Sequence, residues 1–193
     1  MRRFHETLFT PAVRAGQERL GSPYAAMPRE PDAAPADAAL TPAEAAFLAR
    51  RDSFYLASTS EDGWPYIQHR GGPPGFVRVI DRTTLAWAEF AGNRQYISLG
   101  NVAANDRVAL FFMDYPARHR LKLLGHLTMH EPAERPDLAA AVALDAYRAR
   151  IERVAVVEVA GFDWNCPQHM TPRFTAAEIE AAMERRRREI APG

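Results

Sequence analysis

Cysteine is almost absent: Cys166 is the only one in 193 residues. That excludes an intramolecular disulfide framework and any zinc module built on several thiolates. Net charge is absent too, because 24 Lys and Arg balance 24 Asp and Glu. The chain therefore lacks the standing positive potential that nucleic acid or an anionic membrane surface requires. Long apolar runs are missing, and the longest, Leu138 to Leu144, falls far short of the ~20 residues that span a bilayer. The start, Met1-Arg2-Arg3-Phe4-His5, meets Glu6 without the apolar stretch of a secretory signal, so a soluble cytoplasmic protein is the expectation. Lysine is nearly missing: Lys122 stands alone, leaving 24 − 1 = 23 arginines. Biased codon usage explains that imbalance, although arginine's planar fork also binds phosphate and carboxylate bidentately.

What is present reads as one ordinary globular domain over 1–193, with 47% hydrophobic and 25% charged residues. The first fifty residues are helix and linker. Thr10-Pro11 marks a helix start and Gly21 its stop, with Pro23, Pro28, Pro31 and Pro35 in an irregular stretch beyond. Thr41-Pro42-Ala43-Glu44 is a capping box opening a second helix, which carries Phe47 and Leu48 and ends near Arg51. From Ser53 the pattern changes to strands: Phe54 to Ser58, Pro65 to His69, Phe76 to Ile80, Leu85 to Phe90, Arg107 to Met113, Leu121 to Met129 and Val154 to Val159. Glu61-Asp62-Gly63 and Asp81 to Thr84 are the turns. Helices are expected over Asn93 to Asn105 and along Ala140, Leu144, Tyr147 and Ile151, which recur at helical spacing. A last helix over 175–190 opens on a box of Thr175 and Glu178, with Phe174 placed to staple onto Ile179. Short strands joined by hairpins, with flanking helices, predict a mainly antiparallel β-barrel.

Three segments carry candidate chemistry. In Gly92-Asn93-Arg94-Gln95-Tyr96, Asn93 caps the predicted helix, whose free N–H groups beside Arg94 suit a phosphate, with Ser98 one turn on. The same spacing also describes a plainly capped helix with a solvated arginine. The loop Gln68-His69-Arg70-Gly71-Gly72-Pro73-Pro74-Gly75-Phe76-Val77 lets a planar ligand approach the main chain, or is simply a structural turn. In Trp164 to His169, Cys166 and His169 are too few for a metal site, and the cysteine reads as a small buried hydrophobe more readily than as a nucleophile. Arg185 to Arg188 reads as a solvated helix end.

Together these residues resemble the pyridoxamine 5′-phosphate oxidase-like, FMN-binding split-barrel family. The resemblance runs from about Phe47 to about Phe174, strongest in the Gln68 to Val77 loop, in Gly92-Asn93-Arg94-Gln95, and in Arg120-Leu121-Lys122 followed by Gly125. It implies a split β-barrel, an FMN-dependent oxidoreductase acting on a small organic substrate with NAD(P)H as reductant, and a homodimer with FMN at its interface. By position, Asn93, Arg94 and Gln95 match the family's Ser-Arg-Lys phosphate segment, with Gln95 replacing the lysine. His69, Arg70, Gly71, Phe76 and Val77 would line the isoalloxazine; Ser98, Arg120, Lys122, Trp164 and Gln168 complete the implied flavin set, Arg120 and Lys122 coming from the partner chain. No metal is implied. Trp164 is followed by Asn165-Cys166-Pro167-Gln168-His169 rather than the Arg-Leu-His segment that grips vitamin B6 phosphates, so the resemblance reaches the flavin further than the substrate. The rival readings are a flavin- or haem-binding carrier without turnover, with His69, His119, His126, His130 and His169 as ligand candidates, and an interaction protein that has lost its cofactor.

Overall fold

The structure is a computed structural model describing residues 3–27, 39–144 and 147–190. Seven strands form one antiparallel sheet in the order β2-β1-β5-β6-β7-β4-β3: β1 (Ser53–Thr59), β2 (Pro65–Gly71), β3 (Arg78–Asp81), β4 (Thr84–Phe90), β5 (Arg107–Asp114), β6 (His119–His130) and β7 (Ile151–Asn165). The helices α1 (Arg3–Leu8), α2 (Pro11–Arg19), α3 (Pro42–Leu48), α4 (Ile97–Ala104), α5 (Pro136–Val142) and α6 (Ala176–Ile190) flank it.

The sheet cannot lie flat. Its two edge strands, β2 and β3, are joined by residues 72–77 alone. A flat sheet of this width would separate its edges by about 29 Å, whereas such a connection reaches at most about 24 Å when fully extended. The curl is visible in the core. Phe54 on β1 and Trp87 on β4 have three strands between them in the sheet order, yet their rings meet edge-on at 5.1 Å. Phe76 and Phe112 stack on the same Phe54 ring at 5.9 and 4.9 Å. The barrel interior is filled by these rings with Leu56, Leu85, Leu110, Leu121, Leu123, Leu127 and Val157, all essentially without solvent contact. A second, smaller cluster packs α5 (Leu138, Val142) onto the outer side of β4 and β7, which explains why Leu85, Ala86, Trp87 and Ala88 are buried in succession. The expected antiparallel architecture with flanking helices is what the chain adopts, as a curled sheet open along one side.

Local signals hold where the chemistry is local. Thr10 accepts from the Val13 N–H, Thr41 and Glu44 cap each other, and Thr175 with Glu178 does the same for α6. Phe174 and Ile179 are both exposed. Four expectations change. The helix expected from Asn93 starts only at Ile97, because the Asn93 side chain takes the Gln95 N–H at 3.1 Å and Arg94 and Tyr96 adopt left-handed backbone, φ 61 and 52. Asn93 is therefore no helix cap. The helix expected through Ile151 ends at Val142: Leu144 reaches the larger core from the segment after α5 and Ile151 the smaller one from the first residue of β7, which together imitate helical spacing. Cys166 is exposed rather than buried. Helix α1, unmarked in the sequence, packs its Phe4 against β7 where Gly161 leaves room for the backbone to approach. Pro28, Pro31 and Pro35 lie outside the described residues.

Glu44 also ties α3 to β7, accepting from Trp164 Nε1 at 2.7 Å and from both the Thr41 N–H and hydroxyl. Burial would raise its pKa, but these bonds outweigh it and hold the carboxyl below its ordinary 4.5. A lowered folded-state pKa contributes stability that is complete above the unfolded value and is lost as pH falls through the folded one. Urea midpoints are expected to be level above about pH 5 and to drop below pH 4.5. In Glu44→Gln that acid-dependent drop is smaller, and the midpoint at neutral pH is already lower.

Candidate functional site

The open side of the barrel forms a cleft of ≈ 270 Å³. Edge strand β2 supplies Gln68, His69, Arg70 and Gly71; β4 supplies Trp87, Ala88, Glu89 and Phe90; the loop after β4 supplies Gly92, Asn93, Arg94 and Tyr96; α4 supplies Ile97, Ser98 and Leu99; Phe76, Met129, Glu152 and Arg153 complete it. Strand alternation puts Arg70 on the inward side of β2, where its Nη2 lies 3.1 Å from Glu89 Oε2 across the opening. Trp87 Nε1 donates to the other Glu89 oxygen. Arg70 Nε is buried without a partner. Glycine plays two parts in the loop after β2. Gly72 lies against the Phe76 ring, where any Cβ would sit 2.7 Å from it, and Gly75 holds φ +81. This loop therefore seats Phe76 on Phe54 and leaves Gly71 to line the cleft.

The first turn of α4 opens onto the same cleft with no side-chain cap. Its leading N–H groups are those that a helix leaves unsatisfied, and they favour an anion. Ser98 is buried and donates to Gln68 Oε1 at 3.1 Å. Arg94 is 66% exposed and its Nε lies 3.9 Å from Glu152, a weak surface contact that an incoming anion can replace. Arg153 sits over the Tyr96 ring at 5.1 Å. Each of the three arginines has a glutamate within reach, Arg70 of Glu89, Arg94 of Glu152 and Arg153 of Glu131, so the uncapped helix start is what favours an anion such as one phosphate group.

Of the residues singled out in the sequence, the cleft gathers His69, Arg70, Gly71, Phe76, Asn93, Arg94 and Ser98. Val77 is instead in the core, and Gln95 is not part of the lining. Arg120, Lys122, Trp164 and Gln168 belong to the other end of β7, where Arg120 donates to the Cys166 and Gln168 carbonyls and Lys122 pairs with Asp163 at 3.0 Å. Arg153 and Trp164 are separated by roughly 35 Å measured along the strand. One chain does not bring these two groups together. Glu89, Glu152, Arg153 and Trp87 are cleft residues without a sequence signal, brought there by the curl of the sheet and a bulge in β7, and Tyr96, which lay in a singled-out segment without a role of its own, joins them from the loop after β4. Among the described residues no group of three His, Cys, Asp or Glu is placed to hold a metal ion, and no helix is long and apolar enough to cross a membrane.

Residues 40–181 match the family described as pyridoxamine 5′-phosphate oxidase. This is well over half of the chain, which belongs to that family. No curated protein matches the chain in sequence. Among solved structures, it is similar to a candidate pyridoxamine 5′-phosphate oxidase of Lactobacillus delbrueckii, with 22% identity, 66% of this chain and 96% of that one covered, and a TM-score of 0.49. An FMN-binding protein from Syntrophomonas wolfei shares 12% identity over 63% of this chain and 83% of its own, with a TM-score of 0.49. A protein named F420 reductase shares 19% identity over 61% and 94%, with a TM-score of 0.44.

Proposed function

We propose that this protein binds FMN in the cleft at the barrel opening and acts as an FMN-dependent oxidoreductase on a small organic substrate, drawing on NAD(P)H, as a homodimer in which each chain completes its partner's site. The observation that carries this is the uncapped start of α4 facing Arg94 within the cleft, in a chain of the pyridoxamine 5′-phosphate oxidase family. Arg94 and the leading α4 N–H groups would hold the phosphate; His69, Gly71, Arg70 and Phe76 would border the ring. FMN, when bound, supplies hydride or electron transfer, and the protein's part is orientation and charge around it. Arg70, with an unpartnered buried Nε, has a donor to spare for that purpose.

Two observations support the homodimer. The cleft in one chain, ≈ 270 Å³, is smaller than the roughly 300–1,000 Å³ of ordinary ligand sites, and Arg120, Lys122, Trp164 and Gln168 lie too far away on the same chain to reach it. The outer face of β2-β1-β5 is also apolar: Ala57 stands between Ile67 and Ala109, and Tyr55 beside Phe111, with Ile67 64% and Tyr55 37% exposed. An antiparallel sheet facing only water alternates to polar residues on that side; an apolar face suits a second copy.

The test is the visible spectrum and FMN titration of the purified protein. A yellow protein, or one that binds added FMN, is expected; a colourless protein that binds none overturns the reading. Charge-assisted hydrogen bonds contribute roughly 1.5–3 kcal/mol each, so Arg94→Ala should weaken FMN binding by about one to two orders of magnitude. Arg186→Ala, on the solvated helix α6, should leave it unchanged. Steady NAD(P)H oxidation by the FMN-loaded protein separates an oxidoreductase from a carrier.

A further inference from the structure

The beginning of β7 breaks register with β4. Glu89 pairs with Arg153 and Phe90 with Ile151, so Glu152 is an extra residue with no partner opposite. Such a bulge re-aims a side chain. Here it turns a carboxylate into the cleft, with only 11% of the side chain exposed. Two residues of the loop after β4 meet it there. Glu152 Oε1 lies 3.9 Å from Arg94 Nε, and Oε2 accepts from the Tyr96 hydroxyl at 3.4 Å. Both loop residues hold left-handed backbone, φ 61 and φ 52, which bulky L side chains adopt only when their surroundings impose it. Arg153, the next residue, lies over the Tyr96 ring at 5.1 Å. A negative charge is thus placed against the one arginine that the flavin reading assigns to a phosphate.

Stability does not account for that placement. Arg94 is 66% exposed, and ion pairs that open to water contribute little to folding. The contact matters for what enters the cleft. We propose that Glu152 is its selectivity residue: an internal carboxylate that holds Arg94 and Tyr96 in place and competes with the terminal phosphate of an incoming ligand for Arg94, so that it sets how tightly phosphate monoesters are held relative to the same molecule without phosphate. This rests on the flavin reading for its ligand, but not for its chemistry, since any phosphate meets the same competitor. Freeing the Arg94 guanidinium from the carboxylate leaves its charge-assisted hydrogen bonds to the phosphate alone, a change on the order of tenfold in binding.

The experiment titrates the full chain and its variants with FMN, riboflavin and inorganic pyrophosphate, following flavin fluorescence for the first two and thermal shift for all three. Glu152→Gln is expected to bind FMN and pyrophosphate about tenfold more tightly than the parent and riboflavin equally well. In an Arg94→Ala background the same change should bring a clearly smaller gain, because the competition for the guanidinium is gone and only the repulsion between carboxylate and phosphate is relieved. Unchanged FMN affinity in Glu152→Gln overturns the proposal, and so does an equal loss for FMN and riboflavin, which would make the carboxylate a structural post for the loop. If the parent binds pyrophosphate but no FMN, the flavin reading falls and the pyrophosphate titrations alone decide the role of Glu152. Binding of neither phosphate-bearing ligand by parent or variant overturns both.

Discussion

Phe54→Ala is expected to lower the unfolding free energy by about 3–5 kcal/mol, the range for emptying a buried aromatic position. Phe54 is 1% exposed and touches three rings, Phe76, Trp87 and Phe112, which come from the loop after β2, from β4 and from β5. Its contact with Trp87 exists only because the sheet curls, so the cavity left by alanine lies where the two halves of the barrel meet. Against a typical total of 5–15 kcal/mol, this is a large single-residue effect. Phe76 and Trp87 also line the cleft, so FMN affinity should fall with stability while the phosphate contact is untouched. Urea denaturation by fluorescence measures the first and titration the second. A loss below about 1 kcal/mol would mean that the cavity collapses and that these rings do not set the curl.

The second large effect is at Arg70, the only ion pair that joins β2 to β4 among the described residues. Both side chains are mostly buried, at 18% and 15% exposed. Removing one partner leaves the other's charge uncompensated, which costs 3–5 kcal/mol in a fully buried pair. With that residual exposure and the Trp87 bond to Glu89 retained, Arg70→Ala should cost about 2–3 kcal/mol. It should also remove a donor from the cleft and weaken FMN binding. The double variant Arg70→Ala/Glu89→Gln should recover part of the stability, because the orphaned carboxylate is then neutral, but none of the FMN affinity. Equal stability of the single and double variants would show that the pair is not coupled.

The features legible in the sequence were those whose cause lies within a few residues. A hydroxyl three positions before a glutamate identifies an α3 or α6 start wherever it occurs, since both bonds close inside one turn. The seven strands followed from alternation and β-branched or aromatic composition, and their ends shifted by only a few residues except in β7, which runs on to Asn165. The start of α4 was misplaced because an asparagine before a helix and an asparagine in a short turn look alike; the left-handed Arg94 and Tyr96 are held by Glu152 and Arg153, more than fifty positions away. The end of α5 was misplaced because apolar spacing records which residues are buried, and a non-helical segment touching two cores can bury the same ones.

By itself the sequence determined the class: a neutral, antiparallel β fold with capped helices, a glycine-rich loop and an arginine after a strand, all set by local bonding and composition. The tertiary structure alone decided the site. Joining the two edge strands by residues 72–77 forces the sheet to curl, and the curl sets Arg70 against Glu89 and the loop after β4 against the first residues of β7. Which charges share the cleft depends on register and on one bulged residue in β7. Slipping a strand by one position turns every side chain to the opposite face, and the pairing of β4 with β7 is a contact between distant segments that no local pattern encodes.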